Sequence, residues 1–268
     1  MAHKITSPSN PLIKTLKSLH AKKGRAETGL FLAEGARLAT EAADLGAWPE
    51  ILVYSPAALA RDQVRKLVHD AEARRVRVIE TSESVLAGIS KRDNPQTVIG
   101  AYKQRLASLE ELQGETIVAL EGVRDPGNLG TILRTADSTG AGGIVLLGES
   151  CDPFSVEAVR ASMGSIFAVK LARASFEELL RYKSKRGAQV IGASLKGATL
   201  ESAMPASPRA IVLMGNEQSG LPPEMETACD LLVRLPMRGR ADSLNLAVAT
   251  AVMLYDLWRR RGYDGARA

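Results

Sequence analysis

Thr116-Ile117-Val118-Ala119-Leu120-Glu121-Gly122-Val123-Arg124-Asp125-Pro126-Gly127-Asn128-Leu129-Gly130-Thr131-Ile132-Leu133-Arg134 decides the fold class. Its first five residues are a short β-branched and apolar run, the pattern of a buried strand. Pro126-Gly127 marks a turn, and Asn128 can cap a following helix. Leu129, Ile132, Leu133 and Ala136 then share one helical face, which packs on the sheet. Arg134 lies about 140° from Leu129 at 100° per residue, so it leaves that face. The same order recurs twice. The run Ala210 to Met214 leads into Gly215-Asn216-Glu217-Gln218-Ser219-Gly220-Leu221, and Leu231 to Leu235 leads into Pro236-Met237 through Ser243-Leu244-Asn245. Ligands of open α/β sheets bind outside the carboxyl ends of strands, so three such clusters point to one composite site.

Working outward, strands are expected at 116–120, 143–147, 166–171, 189–193, 210–214 and 231–235, with helices at 129–139, 154–161, 175–185 and 243–261. That alternation predicts an α/β domain over residues 115–268 with a mostly parallel sheet covered on both faces. Residues 106–114 read as a linker. Residues 1–105 read as a smaller α/β domain, with strands in Leu30–Ala33, Ile51–Tyr54, Val76–Ile79 and Thr97–Tyr102. At its start Leu12, Ile13, Leu16 and Leu19 have helical spacing, and a flexible Lys22-Lys23-Gly24-Arg25 segment is expected to follow. Asp242 or Ser243 is expected to cap the terminal helix. That helix is apolar around most of its circumference: Leu244, Val248, Ala251, Tyr255 and Trp258 form one stripe, and Leu246, Ala249, Met253 and Leu257 another. It therefore predicts a homodimer interface.

The net charge of +5 is uneven: residues 1–106 hold 17 Lys+Arg against 11 Asp+Glu, and residues 107–268 hold 18 against 19. A basic amino-terminal part, including Lys14, Lys17, Lys22, Lys23 and Arg25, suits a polyphosphate partner. The low aromatic content argues against a base-stacking platform. Cys151 and Cys229 suggest no disulfide framework, and the opening Met1-Ala2-His3-Lys4 lacks the apolar run of a signal peptide, so a reducing cytoplasmic setting is expected. The cysteines and His3, His20 and His69 have no metal-ligand spacing, and all three histidines lie outside the clusters. Gly215 to Gly220 has phosphate-loop spacing, but Leu221 stands where the lysine would be, and no dinucleotide fingerprint follows a strand. Bland roles stay open for single residues: Asn128 as a cap, Arg134 as a partner of Asp137, Glu217 as a solvated carboxylate.

Together the clusters resemble the signature of the SpoU (TrmH-type) branch of the SPOUT RNA methyltransferases. Asn128, Gly130 and Arg134 match N-x-G-x-x-x-R. Gly215, Glu217, Gly220 and Leu221 match G-x-E-x-x-G-L. Pro236, Met237, Gly239, Ser243, Leu244 and Asn245 match P-M-x-G-x-x-x-S-L-N. The stretches Thr6 to Pro11 and Phe31-Leu32-Ala33-Glu34-Gly35 are similar to the family's ribosomal-protein-like substrate-binding domain. The resemblance implies a deep carboxy-terminal trefoil knot, a homodimer, and ribose 2′-O-methylation of RNA, ribosomal RNA rather than tRNA. It implies S-adenosylmethionine (SAM) held near Leu213, Met214, Gly215, Asn216, Leu235, Pro236, Met237 and Leu244. Arg134 would stabilise charge on the 2′-oxygen, Asn128 would bind substrate or orient Arg134, and Glu217 would orient an arginine. Ser243 and Asn245 would shape the site. The rivals are a non-catalytic RNA-binding scaffold, a tRNA-directed methyltransferase and a nucleotide-dependent enzyme acting on a small molecule.

Overall fold

The computed structural model describes residues 3–92, 95–199 and 209–266 of the 268. The chain forms two compact units. One comprises Met1–Gln104 with Asp152–Phe167, the other Arg105–Cys151 with Ala168–Ala268.

The first unit holds β1 (His3–Lys4), β2 (Leu30–Glu34), β3 (Ile51–Tyr54), β4 (Arg77–Glu80) and β5 (Val98–Lys103) in a mixed sheet of order β1-β4-β3-β5-β2. Side chains alternate across a strand. On one face Ile51, Val53, Ile79 and Ile99 therefore meet Ile13 and Leu16 of α1 (Pro11–Ser18) and Leu86 of α5 (Glu83–Ser90). On the other, Leu52, Tyr54, Val78 and Val98 meet Ala39 of α3 (Ala36–Asp44) and Val64 and Leu67 of α4 (Asp62–Ala73).

Residues 22–25 correct the sequence reading. They are not a flexible segment but open a helix, α2 (Lys22–Thr28). Nor is Arg25 a surface cation. It is 4% exposed. Its Nη1 donates to the carbonyls of Leu19 and His20, at 2.8 and 3.0 Å, just past the end of α1. Its Nε and Nη2 donate to Asp152 Oδ2 at 2.9 and 2.7 Å. Asp152 opens the segment that the first unit draws from later in the chain. That segment also supplies Phe154 and Phe167, whose rings lie 5.1 Å from Phe31 and 4.6 Å from Tyr102.

The second unit has six parallel strands: β6 (Thr116–Glu121), β7 (Ile144–Leu147), β8 (Leu171–Arg173), β9 (Gln189–Thr199), β10 (Ala210–Met214) and β11 (Leu231–Arg234). Their order is β11-β9-β10-β6-β7-β8. From β6 the chain runs outward through β7 and β8 on one side, while β10, β9 and β11 lie on the other, so the order reverses between β6 and β10. The four central residues of β6 and all of β7 and β10 are buried, as a sheet covered on both faces requires. The helices are α6 (Pro126–Ser138), α7 (Phe176–Arg186), α8 (Pro223–Ala228) and α9 (Leu246–Arg260). The strand expected at 166–171 is a second correction. Ser165–Ala168 is helical and the strand begins at Leu171, because Phe167 serves the first unit's aromatic cluster instead of the sheet.

Replacing Asp152 with Ala would strand a buried guanidinium and free the Phe154 amide that Asp152 Oδ1 accepts at 2.9 Å. Removing one partner of a buried ion pair costs about 3–5 kcal/mol. Asp152→Ala is therefore expected to lower the urea midpoint markedly, and Arg25→Met/Asp152→Leu to lower it less. A loss under about 1 kcal/mol, the range of surface pairs, would contradict the buried pairing.

Candidate active site

The three sequence clusters meet at the carboxyl ends of β6, β10 and β11, beside the order reversal where α/β sheets bind ligands. One hydrogen-bonded chain of side chains joins them. Asn128 Nδ2 donates to Glu217 Oε1 at 3.2 Å, and Asn245 Nδ2 donates to Asn128 Oδ1 at 2.9 Å. Asn245 Oδ1 accepts from the amides of Ala247 and Val248 at 2.9 and 3.3 Å, which caps α9. Chemistry fixes the direction of this chain. A carboxylate only accepts, so the Asn128 amide must turn its nitrogen to Glu217 and its oxygen to Asn245. Asn245 must then turn its own oxygen to the helix.

The caps differ from the sequence reading in two places. Asp125, not Asn128, caps α6: its Oδ1 accepts from the Asn128 amide at 3.0 Å, and the helix starts at Pro126. Asn245, not Asp242 or Ser243, caps α9, which starts at Leu246. In both cases a competing Asx or Ser side chain stood within a few residues, and tertiary contacts chose between them. Asn128 is thereby released from capping to bridge the clusters.

The second cluster is a closed loop. Asn216 and Gly220 exchange backbone hydrogen bonds of 3.0 and 2.9 Å. A Cβ on Gly215 would lie 2.2 Å from the Gly220 carbonyl carbon, so only glycine fits there. Asn216 Oδ1 accepts from the Gln218 amide at 2.9 Å, and its Nδ2 donates to the Gly122 carbonyl at 2.7 Å. Glu217 accepts from the amides of Arg124 and Asp125, both at 3.4 Å. Glu217 and Asn216 thus clamp this loop onto the β6–α6 turn, and the glycine spacing that resembles a phosphate loop serves chain closure.

Beside this network lies a cleft of about 470 Å³, within the range of small-molecule sites. Met214, Gly215, Asn216, Leu235, Met237 and Leu244 line it, as do Glu217 and Ser243. Leu213 is fully buried in the sheet core, so any contact from it would come from backbone, and Pro236 is not among the lining residues. Asn128 and Asn245 reach the cleft through Glu217 and Leu244. Arg134 does not line it. It sits on the exposed side of α6, six residues or about 9 Å of helix beyond Asn128. Among the described residues Arg134 forms no salt bridge.

One wall was missed in the sequence. Pairing between β9 and β11 jumps from Gly192–Leu232 to Ala198–Val233. Residues 193–197 are thereby skipped, and Ala193, Ser194, Leu195 and Lys196 line the cleft. Ser194 Oγ donates to Glu226 Oε1 at 2.6 Å and Lys196 Nζ contacts Glu226 Oε2 at 2.7 Å. Those bonds, Lys196 first and Ser194 second, hold the Glu226 carboxyl below its ordinary range. The strand-end rule applied to 189–193 points to this stretch, but only the register jump opposite β11 shows that Ser194 and Lys196 reach the cleft. Glu121, at the end of β6, was also passed over. Burial and then the charge of Glu224 push its carboxyl up.

The cleft suits SAM in its chemistry: apolar Met214, Leu235, Met237, Leu244 and Leu246 line it together with polar Ser194, Lys196 and Glu226. Among the described residues no three metal-ligating side chains converge. Burial pushes the free Cys229 thiol up to about 11, which leaves it a packing group.

Comparison with known proteins agrees with this geometry. Residues 115–255 match the SpoU rRNA Methylase family, and residues 10–100 match an MRM3-like substrate binding domain. The chain is 31% identical over 257 residues to the 23S rRNA (guanosine(2553)-2′-O)-methyltransferase RlmP of Bacillus subtilis, covering 94% of this chain and 98% of that protein. An AdoMet-bound rRNA methyltransferase from Sinorhizobium meliloti is similar at 45% identity and a TM-score of 0.88, over 96% of this chain and 98% of the other. The SpoU methyltransferase AviRb of Streptomyces viridochromogenes, in complex with AdoMet, is similar at 26% identity and a TM-score of 0.83, over 96% and 100%. The chain belongs to the SpoU rRNA methylase family.

Proposed function

We propose that this chain transfers a methyl group from SAM to a ribose 2′-hydroxyl of ribosomal RNA. The observation that carries it is the Glu217–Asn128–Asn245 chain, which ties three distant family motifs together beside a cleft that two of them line. Bound SAM would supply an electrophilic methyl group, which an oxygen accepts without a metal. The apolar residues Met214, Leu235, Met237 and Leu244 would hold it, with the trefoil knot that the resemblance implies shaping their loops. The protein's share is orientation of the hydroxyl and stabilisation of the charge that grows on its oxygen. Arg134, a guanidinium without a salt bridge among the described residues, is suited to that charge or to an adjacent phosphate. Asn128 and Glu217 fix the turn from which α6 carries Arg134. Ser243, on the cleft wall, is suited to a hydrogen bond with the ribose.

Arg134 stands outside the cleft of its own chain, which bears on assembly. α9 buries Leu246, Ala247, Thr250, Met253, Leu254 and Leu257, leaving Val248, Val252 and Tyr255 exposed. Together with exposed Leu244 these form an apolar stripe at helical spacing. α9 packs against α6, the helix that carries Arg134. Because α9 contacts the helix that carries Arg134, a homodimer through this stripe would bring the guanidinium toward a second chain. No helix among the described residues is long and apolar enough to cross a membrane, and action on rRNA would fit a cytoplasmic enzyme.

The direct test is mapping of 2′-O-methyl sites in rRNA from cells with and without the gene: one ribose methyl should vanish. In vitro, Arg134→Ala should lower kcat by about 10²–10³ with SAM affinity intact, the cost of losing one donor to a developing oxyanion. Turnover near normal would remove Arg134 from the chemistry. Mixing Arg134→Ala with an inactive cleft variant such as Gly215→Val should restore part of the activity if Arg134 serves a neighbour, and none if it acts within its own chain. Sedimentation should give a dimer at micromolar concentration, and Val252→Asp should shift it toward monomer. A wild-type monomer would refute the assembly.

A further inference from the structure

One wall of the cleft is an insertion. β9 and β11 pair at Ile191–Leu231 and Gly192–Leu232 and again at Ala198–Val233, so residues 193–197 bulge out of β9 with no residue of β11 opposite them. Bulges re-aim side chains and are common beside active sites. A Cβ on Gly197 would lie 2.5 Å from the backbone of Leu232 and Val233, so only glycine lets the chain rejoin β11 there. Within the bulge Ser194, Leu195 and Lys196 line the cleft.

Two of these side chains share one anchor. Ser194 Oγ accepts from the Lys196 amide at 3.2 Å and donates to Glu226 Oε1 at 2.6 Å. Lys196 Nζ donates to Glu226 Oε2 at 2.7 Å. Glu226 thus holds the bulge with both carboxylate oxygens, and its side chain is 14% exposed. It sits on α8, the short helix that follows the Gly215–Leu221 loop, and so ties the bulge to a second wall of the cleft. Leu195 lies between the two pinned residues. It lines the cleft, yet at 66% it is the most exposed large apolar side chain among the described residues. An apolar side chain held bare on a cleft wall between two clamped neighbours is placed to be covered by a ligand.

We propose that Glu226 is a positioning residue for cofactor binding: it pins the 193–197 bulge so that Leu195 packs on SAM seated in the cleft. Glu226 acts through Ser194 and Lys196 and not by touching SAM, and Leu195 supplies apolar area that SAM covers. The proposal rests on the reading of the cleft as the SAM site and adds residues outside the three family motifs. Without the carboxylate, Ser194 and Lys196 lose their common partner, the bulge loses its fixed course, and Leu195 is no longer presented. Leu195 and Glu226 therefore contribute to SAM affinity only together.

Calorimetry of SAM binding to the full chain, without RNA, tests this. Leu195→Ala should weaken binding roughly tenfold, the worth of covering most of a leucine side chain. Glu226→Ala should weaken it by a similar factor, and Glu226→Gln by less, because the amide oxygen still accepts from one of the two donors. In the Glu226→Ala background, Leu195→Ala should cost at most about twofold. Hydrogen exchange gives a readout without ligand: a peptide covering residues 193–198 should exchange faster in Glu226→Ala, while β6 and β10 keep their protection. Thermal melts check folding; should Glu226→Ala fail to fold, the same cycle run on Glu226→Gln decides. Leu195→Ala that binds SAM as wild type does overturns the proposal. So does a Glu226 loss that adds in full to the Leu195→Ala loss, the behaviour of a direct contact. Wild type that binds no SAM would strike the SAM reading itself, whereas wild type that binds it with the variants unaffected would strike this inference alone.

Discussion

A single carboxylate sets the polarity of the site. Because Glu217 can only accept, it fixes the amide of Asn128, which fixes Asn245, which caps α9. Each link also holds backbone: Glu217 the β6–α6 turn, Asn245 the first turn of α9. Three loops spread over 117 residues of chain therefore share one hydrogen-bond direction. The geometry beside the cleft is built into the fold before any ligand arrives, as catalysis by positioning and electrostatics requires.

The strands that feed these loops were legible because a doubly covered parallel sheet writes itself as short apolar runs. The order of clusters along the chain was legible because each follows such a run. The caps were not. Asp125 and Asn128, or Asp242, Ser243 and Asn245, offer similar side chains within a few positions, and only the long-range bond from Asn245 to Asn128 selects among them. Ser194 and Lys196 were hidden for another reason. The register jump opposite β11, which turns them onto the cleft, is a pairing event with no local signature.

The first unit shows the limit of reading charge from sequence. Its basic excess is real, yet Arg25 spends its guanidinium inside, closing α1 and holding Asp152. Exposed cations such as Arg61 and Arg160 form no salt bridge among the described residues although Asp62 and Glu157 lie close in sequence, and only the folded chain reveals that Asp62 pairs with Arg65 instead. Segment 152–167 is partly opaque. Its helix at 154–161 was legible, but Ile166 and Phe167 look like the start of a strand until Phe167 is seen against Phe31 and Tyr102.

The relay through Asn128 is most directly measured by a double-mutant cycle on methyl transfer, combining Glu217→Ala with Asn245→Ala, two residues that Asn128 links by hydrogen bonds. If one polarised chain organises the site, the second change costs much less once the first is made, with a coupling of about 1 kcal/mol or more. Additivity within about 0.3–0.5 kcal/mol, the behaviour of independent sites, would contradict it.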